Sequence, residues 1–256
     1  AQRAAEHHGA EFLFNTAVTD IEKEDGRVCG VKLDSGERIS APVVINVAGP
    51  HSAVINTMAG VEEAMNIKTR ALRHEVAHVP APEGFDFEKD GVVYSDSDIH
   101  TYCRPEIGNH ILIGSEDPEC DTKDWVDDPD NFDDRFSDQW NVLVMRMAQR
   151  LPGLRIPSRT RGVVALYDVT DDWMPIYDRS DLDGFYMAVG TSGNQFKNAP
   201  VAGKMMAALV EACEAGQDHD RDPVTFHLEH LDMDISLGAF SRNREINQDS
   251  SFSVIG

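Results

Sequence analysis

The sequence predicts a mixed α/β fold in which parallel strands and a strand–turn–helix unit flank an antiparallel sheet. Gly184–Val189 has the composition of a strand, residues 190–200 are small and polar, and Val201–Val210 is rich in good helix formers. The short apolar run Val43–Val47 is typical of a buried parallel strand. Between these segments, residues 70–115 hold several short β-rich runs separated by polar turns, as expected for an antiparallel sheet.

The first forty residues predict the end of a helix, a strand and a small β-meander. Ala1–His8 is expected to be helical and is stopped by the glycine that follows, and Glu11–Ile21 is expected to be a strand. Two further strands, Val28–Leu33 and Glu37–Ser40, flank Asp34–Gly36, a tight hairpin-type turn. The meander leads directly into the apolar parallel strand.

The middle of the chain predicts four antiparallel strands, at Arg70–Val79, Gly91–Tyr94, His100–Pro105 and His110–Gly114. An acidic loop, residues 121–131, then leads into a helix expected from about Phe132 to Arg150. The helix carries an apolar stripe of Leu143, Met147 and Leu151. We interpret the acidic loop as a solvated surface and not a metal site, because no His or Cys cluster stands beside it.

Length and composition exclude several classes of function. The chain has 256 residues, 41% of them hydrophobic, which is ample for a packed core. A formal net charge of −22 would repel duplex nucleic acid and anionic membrane surfaces, so we expect neither as a partner. The four cysteines form no C-x-x-C pair, which favours reduced thiols in a cytoplasmic protein over a disulfide scaffold or a zinc site: Cys29, Cys103, Cys120 and Cys213.

The turn after Gly184–Val189 is the first candidate binding site. Small residues let a ligand approach the backbone, and the N-terminus of the following helix favours an electron-rich or anionic group. The candidate contacts are Gly190, Ser192, Gly193, Asn194, Gln195, Phe196 and Lys197. From the turn alone, an ordinary strand-to-helix connection with a solvated lysine is an equal alternative.

Four segments together resemble the D-amino-acid oxidase superfamily of FAD-dependent oxidoreductases, in its glycine and sarcosine oxidase branch. Gly190–Lys197 resembles that branch's Gly-x-Ser-Gly-x-x-Phe-Lys motif. Val43–Ser52 resembles its Val-Val-Asn-Ala-Ala-Gly-Pro-Trp-Ser strand, with His51 in place of the tryptophan. Tyr102–Gly114 resembles its Tyr-x-Arg-Pro-Glu…Gly hairpin, and Arg161–Tyr177 its return strand and Thr-Pro-Asp-x-x-Pro-Ile loop.

The resemblance implies an incomplete FAD-binding Rossmann-like domain plus an antiparallel-sheet substrate domain. Residues 1–69 would be the C-terminal part of the FAD-binding domain, residues 70–160 the substrate domain, residues 161–216 the return to the FAD-binding domain, and residues 217–256 a tail of unassigned role. The chain contains no Gly-x-Gly-x-x-Gly turn for the pyrophosphate. We therefore expect a longer flavoprotein whose missing N-terminal portion, or an oligomer partner, completes the site.

The resemblance also implies roles for particular residues. The turn from Gly190 would lie against the pyrimidine edge of the flavin, and Ala48, Gly49 and Pro50 would pass close to the cofactor. Lys197 would anchor a substrate carboxylate, with Tyr167 and Arg104 as further catalytic candidates. Tyr167 packed between the domains, and Arg104 paired with a surface acid, are the alternatives. We interpret His51 as a loop histidine.

Ala165 stands where the sarcosine oxidases carry a cysteine joined to the flavin, so non-covalent FAD is expected. The implied activity is hydride transfer to FAD from an amine or amino acid, of the sarcosine, dimethylglycine or D-amino-acid type. Two alternatives stay open: a truncated, non-catalytic fragment or subunit, and flavin-dependent oxidation of a 2-hydroxy acid. The substrate, the electron acceptor and the oligomeric state are not fixed by the sequence.

Overall fold

The computed structural model describes residues 1–255 and confirms the mixed α/β fold. Its strands are β1 (Val18–Glu24), β2 (Arg27–Leu33), β3 (Arg38–Ser40), β4 (Val44–Asn46), β5 (Thr69–Pro80), β6 (Tyr94–Asp96), β7 (Thr101–Glu106), β8 (His110–Ser115), β9 (Asp124–Val126), β10 (Gly162–Thr170), β11 (Ile176–Arg179), β12 (Phe185–Val189), β13 (Thr225–Leu228) and β14 (Met233–Ser236). Its α-helices are α1 (Gln2–His7), α2 (Ser52–Ala59), α3 (Phe87–Asp90), α4 (Gln139–Ala148) and α5 (Ala199–Glu214). Among the described residues, no helix combines the length and the apolar character needed to cross a membrane.

A six-stranded antiparallel sheet occupies the middle of the chain, in the order β10-β5-β8-β7-β6 with β9 also paired to β5. Tyr167 lies opposite Leu72, and Tyr102 lies opposite Gly114. Because side chains alternate along a strand, Cys103 points to the other face, which packs on α4. That buried core includes Ala77, Val79, Cys103, Ile111, Ile113, Trp140, Leu143 and Met147. The face with Tyr102 and Tyr167 is left free of α4.

A second, three-stranded sheet has β12 at its centre, with β4 parallel and β11 antiparallel to it. Helix α5 packs on one face through Met205 and Leu209. The meander β1–β2 and helix α2 cover the other face, where Ile21, Val28 and Phe185 are buried together. Since β4 and β12 run parallel, the segments that follow them leave the same edge of the sheet, where ligands of α/β sheets usually bind.

Two predicted elements begin later than expected. The strand predicted from Glu11 starts at Val18, because only residues 18–24 pair with β2. The helix predicted from Phe132 starts at Gln139. The preceding segment is held in a loop, since the Arg73 guanidinium donates to the carbonyl of Asp133 and the Glu75 carboxylate accepts from the N–H of Ser137. The apolar stripe of this helix is confirmed.

Three further expectations need correction. Strand β4 is parallel as predicted but only partly buried, because its outer edge has no partner strand within residues 1–255 and Ile45 is 42% exposed. The strand predicted at Gly91 begins only at Tyr94. Asp121, expected in a solvated loop, is instead paired with Arg146 at 2.6 Å and is half-buried.

Candidate active site

The turn after β12 is held in place by one buried carboxylate on β10. Asp168 accepts a hydrogen bond from the N–H of Gly190 at 2.7 Å, and the hydroxyl of Thr191 donates to its other oxygen. Its backbone carbonyl accepts from the N–H of Ser192 at 2.8 Å. A Cβ on Gly190 would lie 2.2 Å from Thr170 Cγ2, and the residue has a φ of +72°, so this position requires glycine.

The turn offers free donors at the start of a helix. A 3-10 turn, Phe196–Asn198, leads directly into α5. The N–H groups of Gly193 and Gln195 donate to no acceptor within residues 1–255. Phe196 is 97% exposed beside them. Free N–H groups at the positive end of a helix, next to the exposed ring of Phe196, suit a planar ligand with an electron-rich edge.

Tyr167 projects from the free face of the central sheet onto this turn. A Cβ on Gly193 would lie 2.7 Å from Tyr167 Cε2, so the turn and the ring are in direct contact. The His74 ring stacks on the other side of Tyr167, with ring centroids 4.3 Å apart. Tyr102 lies over Gly114, where a Cβ would come within 2.3 Å of the phenol. Burial raises the pKa of both tyrosines, so both hydroxyls stay protonated.

Next to this ring stack lies a buried acid–imidazole pair. His74 Nε2 is 3.2 Å from Asp117 Oδ1, and both side chains are less than a tenth exposed. The approach lacks the geometry of a hydrogen bond, so His74 Nε2 has no hydrogen-bond partner among the described residues, and neither does the other carboxylate oxygen, Asp117 Oδ2. Both residues border a polar cavity of about 440 Å³ whose lining also includes Lys123. Unsatisfied buried polar atoms are costly, so a ligand that bonds to them would be held strongly.

The pair is neutral over much of the physiological range. Burial raises the pKa of Asp117 to about 7, although the charge of Lys123 opposes the shift. Burial also lowers the pKa of His74 to about 4, and the positive charges of Lys123 and Arg73 act in the same direction. Between about pH 4 and about pH 7 the carboxyl therefore carries the proton and the imidazole is uncharged.

Three of the nine non-glycine residues of 1–255 that have a positive φ lie around the same place. Asp117, Trp173 and Ser192 are non-glycine residues with φ values of +58°, +60° and +47°. Trp173 belongs to the apolar cluster that contacts Tyr167. Left-handed backbone at a bulky residue such as tryptophan persists only where surrounding contacts impose it, and it is found most often at functional sites.

Two residues expected to bind substrate are exposed. Lys197 is on the surface and its ammonium makes no ion pair with any residue from 1 to 255. Arg104 lies two residues along β7 from Tyr102, on the same face, but its Nη1 is 3.3 Å from Glu106 Oε2 and half of its side chain is exposed. In the structure Arg104 therefore makes an ion pair with a nearby acid, which is the alternative to substrate binding given above.

The segment after β4 faces open space at the same edge as the turn. It contains Ala48 and continues as the 3-10 turn Gly49–His51, in which Pro50 is the middle residue. A Cβ on Gly49 would meet no atom within 4 Å. His51 is partly exposed and its Nε2 is 2.9 Å from Asp130 Oδ1, which agrees with a loop histidine.

An apolar groove of about 800 Å³ continues from the turn along α5 and the unpaired edge of β4. Its lining includes Ile45, Val47, Gln195, Phe196, Gly203 and Met206. Exposed apolar surface of this extent marks a place where another molecule or chain segment binds. The groove and the Tyr167 cluster lie on either side of the same turn.

The sequence did not single out four of the residues that build this site: His74, Tyr102, Asp117 and Asp168. Tyr102 belongs to the hairpin motif, but the arginine of that motif drew attention instead. The sequence does contain a signal for Asp168, because a carboxylate inside an otherwise apolar strand must find hydrogen-bond donors when the strand is buried. The pairing of His74 with Asp117 has no local signal, since the two residues are far apart in sequence.

A family of FAD dependent oxidoreductases, DAO, matches residues 1–209. The chain belongs to this family. It is 28% identical over 211 residues to the sarcosine oxidase subunit beta of Rhodobacter capsulatus, covering 81% of this chain and 46% of that protein. It is 27% identical over 198 residues to the mitochondrial sarcosine dehydrogenase of Homo sapiens, covering 73% of this chain and 20% of that protein. The chain thus spans less than half the length of these curated relatives.

Solved structures of the same family share the fold. L-proline dehydrogenase from P. horikoshii superposes with a TM-score of 0.65 at 20% identity, over 83% of this chain and 53% of that one. Glycine oxidase from Bacillus cereus superposes with a TM-score of 0.62 at 20% identity, over 82% of this chain and 54% of that one. Both confirm the mixed α/β fold. The sarcosine oxidase subunits among the curated relatives support the glycine and sarcosine oxidase-like branch of the family.

The residues present fit the FAD that the family name implies. The free N–H groups of Gly193 and Gln195 suit the electron-rich edge of the ring, and the exposed Phe196 supplies an apolar contact. Gly49 leaves open space for a close approach of the ligand to the backbone. These contacts address the ring system, whereas the chain has no glycine-rich turn for the pyrophosphate.

Proposed function

We propose that the protein containing this chain oxidises an amine or amino acid of the sarcosine or glycine type, with FAD as the electron acceptor. The carrying observation is the contact between Tyr167, on the free face of the sheet, and Gly193, in the turn that fits FAD. It puts the ring of Tyr167 beside the turn to which we assign the flavin ring. The names of the relatives support the substrate class, since they include sarcosine oxidase, glycine oxidase and L-proline dehydrogenase.

Bound FAD would supply the hydride acceptor for the substrate carbon next to nitrogen. This chain's residues would bind and orient the substrate. The protonated hydroxyls of Tyr102 and Tyr167 can donate to a carboxylate, and Lys197 can attract one from solvent. The free oxygen of Asp117 can accept from the amine. No side chain is an obligatory base, because an amine that binds unprotonated can release hydride directly.

We propose that FAD is bound without a covalent bond to this segment. Ala165 lies on β10 opposite His74, on the same face as Tyr167. No thiol is therefore present at the place where a cysteine would reach the ring. Cys103 is fully buried in the α4 core, on the opposite face of the sheet. We also propose a cytoplasmic location, because all four cysteines are free.

The test is anaerobic mixing of the flavin-loaded protein with sarcosine, glycine, L-proline, a D-amino acid and glycolate. We expect sarcosine or another of the amines to bleach the oxidised flavin absorbance. Reduction by glycolate alone would replace this proposal with 2-hydroxy-acid oxidation. A purified protein that is colourless and stays so after incubation with FAD would favour a non-catalytic fragment or subunit.

A role within a larger assembly is the second candidate. The named relatives from Rhodobacter capsulatus and Rhizobium meliloti are subunits of sarcosine oxidase. The apolar groove and the unpaired edge of β4 support a further polypeptide segment, either from the same protein or from a partner subunit. Size measurement of the purified protein, alone and after co-expression with its neighbouring genes, distinguishes these two sources.

A further inference from the structure

The C-terminal tail, residues 217–255, lies outside the family match and yet reaches the candidate active site. Its hairpin β13–β14 is followed by a 3-10 turn, Leu237–Phe240, which packs against α5 through Leu237. The remaining residues have little regular structure. Their path is therefore fixed by contacts with the rest of the fold, such as the bond from the N–H of Ile67 to the carbonyl of Arg242.

Two arginines anchor the tail to buried carboxylates. Arg242 donates to the buried Asp178 at 3.0 Å and, within the tail itself, to the more exposed Asp220 at 2.9 Å. Its guanidinium is almost fully buried. Arg244 donates to Asp172 through two nitrogens, at 2.9 and 2.7 Å. Bidentate pairs of this kind fix direction as well as position. They direct the end of the chain toward the loop that follows β10.

The end of the tail closes over the ring cluster. The hydroxyl of Ser250 donates to the backbone carbonyl of Asp172, and Val254 is buried against Trp173 in the cluster that includes Tyr167. A Cβ on Gly193 would lie 2.7 Å from Val254 Cγ2, the same distance as from the Tyr167 ring. Val254, Tyr167 and Gly193 therefore meet at one point.

The tail also touches the acid of the buried pair. The backbone N–H of Val254 faces the Asp117 carboxyl and favours its ionised form, against the effect of burial. The neighbouring Ser253 is buried, whereas Phe252 and Ile255 on either side are exposed. The chain thus presents one buried apolar side chain to Tyr167 and the turn, and one N–H to Asp117.

We propose that Ser253 and Val254 form a wall of the substrate pocket, and that Val254 is a specificity-determining residue limiting the group that fits beside Tyr167. The inference rests on the proposed function, since it takes the open side of Tyr167 and Gly193, where both are in part exposed, as the substrate pocket. An apolar wall discriminates by size. One methylene too many or too few at such a wall changes discrimination by roughly 10- to 200-fold.

Two opposite variants test the wall in the flavin-loaded protein. Val254→Ala should raise kcat/KM for N-ethylglycine relative to sarcosine by about 10-fold or more, and Val254→Ile should lower it. The matched control is Ile255→Ala, which shortens an exposed neighbour in the same segment. It should leave the ratio unchanged. If Val254→Ala yields no folded protein, Val254→Ile still decides.

A binding measurement separates failure of the wall from failure of the proposed function. Acetate, propionate and butyrate are titrated against the oxidised protein, and the perturbed flavin absorbance gives each Kd. Val254→Ala should move the size cutoff of this series by about one methylene. A moved cutoff in a protein that no amine reduces supports the wall and rejects amine oxidation. If amines reduce the flavin but Val254→Ala changes neither the size cutoff of the carboxylate series nor the ratio of kcat/KM values, the role of Val254 is rejected and the proposed function stands.

Discussion

At the scale of single residues, the buried Asp117 should make the free energy of unfolding depend on pH. Its pKa is about 7 in the folded protein and 3.8 in an unfolded chain, so folding tightens proton binding. The unfolded state then binds fewer protons, and the free energy of unfolding falls as the pH rises from about 4 through about 7. Lys123, Asp121, His74, Tyr102 and Tyr167 all face this carboxyl.

Replacing Asp117 by Asn removes the titration while keeping the size of the protonated acid. We expect the variant and the parent to have similar unfolding free energies near about pH 4, and the variant to be the more stable near about pH 8. Urea unfolding at both pH values measures this. Asp127→Asn, at an exposed position, is the control. A difference that is the same at both pH values would contradict the raised pKa.

Lys197→Met tests the lysine as a carboxylate anchor. An ion pair present in both the ground state and the transition state should change KM more than kcat. A charge-assisted hydrogen bond is worth roughly 1.5–3 kcal/mol, or about 10- to 150-fold in affinity. Because Lys197 is exposed in the described structure, we expect the lower end of this range.

The control for this lysine is Lys204→Met, an exposed lysine further along α5. Steady-state kinetics with sarcosine measure both variants. If Lys197→Met leaves KM at the parent value while flavin and fold are retained, the anchor must be sought at Arg104 or outside these residues.

Ala165 leads to a prediction about flavin attachment. With no thiol at this position, flavin should be released into the supernatant when the flavin-loaded protein is precipitated with acid. Ala165→Cys is the informative variant, because it introduces the thiol that the sequence resemblance to the sarcosine oxidases implies at this position. Flavin fluorescence that stays with the precipitated parent protein would point to an attachment residue elsewhere.

At the scale of elements, the ion pair of Arg244 with Asp172, which we call the tail clasp, should make a measurable contribution to the stability of the fold. Arg244→Met leaves the fully buried Asp172 without its counter-charge. Burial alone raises the pKa of Asp172, and the hydrogen bonds from Arg244 hold it below its usual value. Removing one partner of a buried pair typically costs about 3–5 kcal/mol. We expect a loss of this size in the free energy of unfolding, measured by urea denaturation.

The exposed pair of Arg221 with Asp218 provides the control for the clasp. Arg221→Met should change the unfolding free energy by no more than about 1 kcal/mol. The double variant Arg244→Met with Asp172→Asn should recover part of the loss, since the buried charge is then removed as well. Equal effects of Arg244→Met and Arg221→Met would show that the clasp contributes little.

Element predictions succeeded where local sequence decides the structure. The helix formers after the Gly190 turn, the meander around Asp34–Gly36 and the apolar stripe of α4 are all confirmed. The element predictions failed where contacts with residues distant in sequence decide the local structure. Arg73 and Glu75, on β5, hold the loop before α4. The exposure of β4 follows from the lack of a second neighbouring strand within residues 1–255, which no local pattern encodes.

At the scale of the whole molecule, the candidate site is assembled from three distant parts of the chain. The turn and Tyr167 were predicted from motifs, and the structure brings them into contact. Asp117 and the tail were missed, because their part in the site exists only after the sheet folds and the two arginines direct the chain end. A family motif can indicate only residues within the family match, and the tail lies outside that match.

The same view of the molecule predicts weak cofactor binding by these 256 residues alone. Their fitting contacts address the flavin ring, and the chain has no glycine-rich turn and helix N-terminus for the pyrophosphate. We therefore expect a Kd for FAD above about 1 μM, and a similar Kd for riboflavin, which lacks the pyrophosphate.

Titration of flavin fluorescence measures both constants, and circular dichroism establishes that the chain used is folded. Riboflavin is the matched comparison because it keeps the ring and removes the rest of the ligand. If ring contacts dominate, deleting the adenine nucleotide half of FAD changes little. FAD binding far tighter than riboflavin binding, with a Kd below about 1 μM, would mean that residues 1–256 hold a pyrophosphate site that no motif in the sequence indicates.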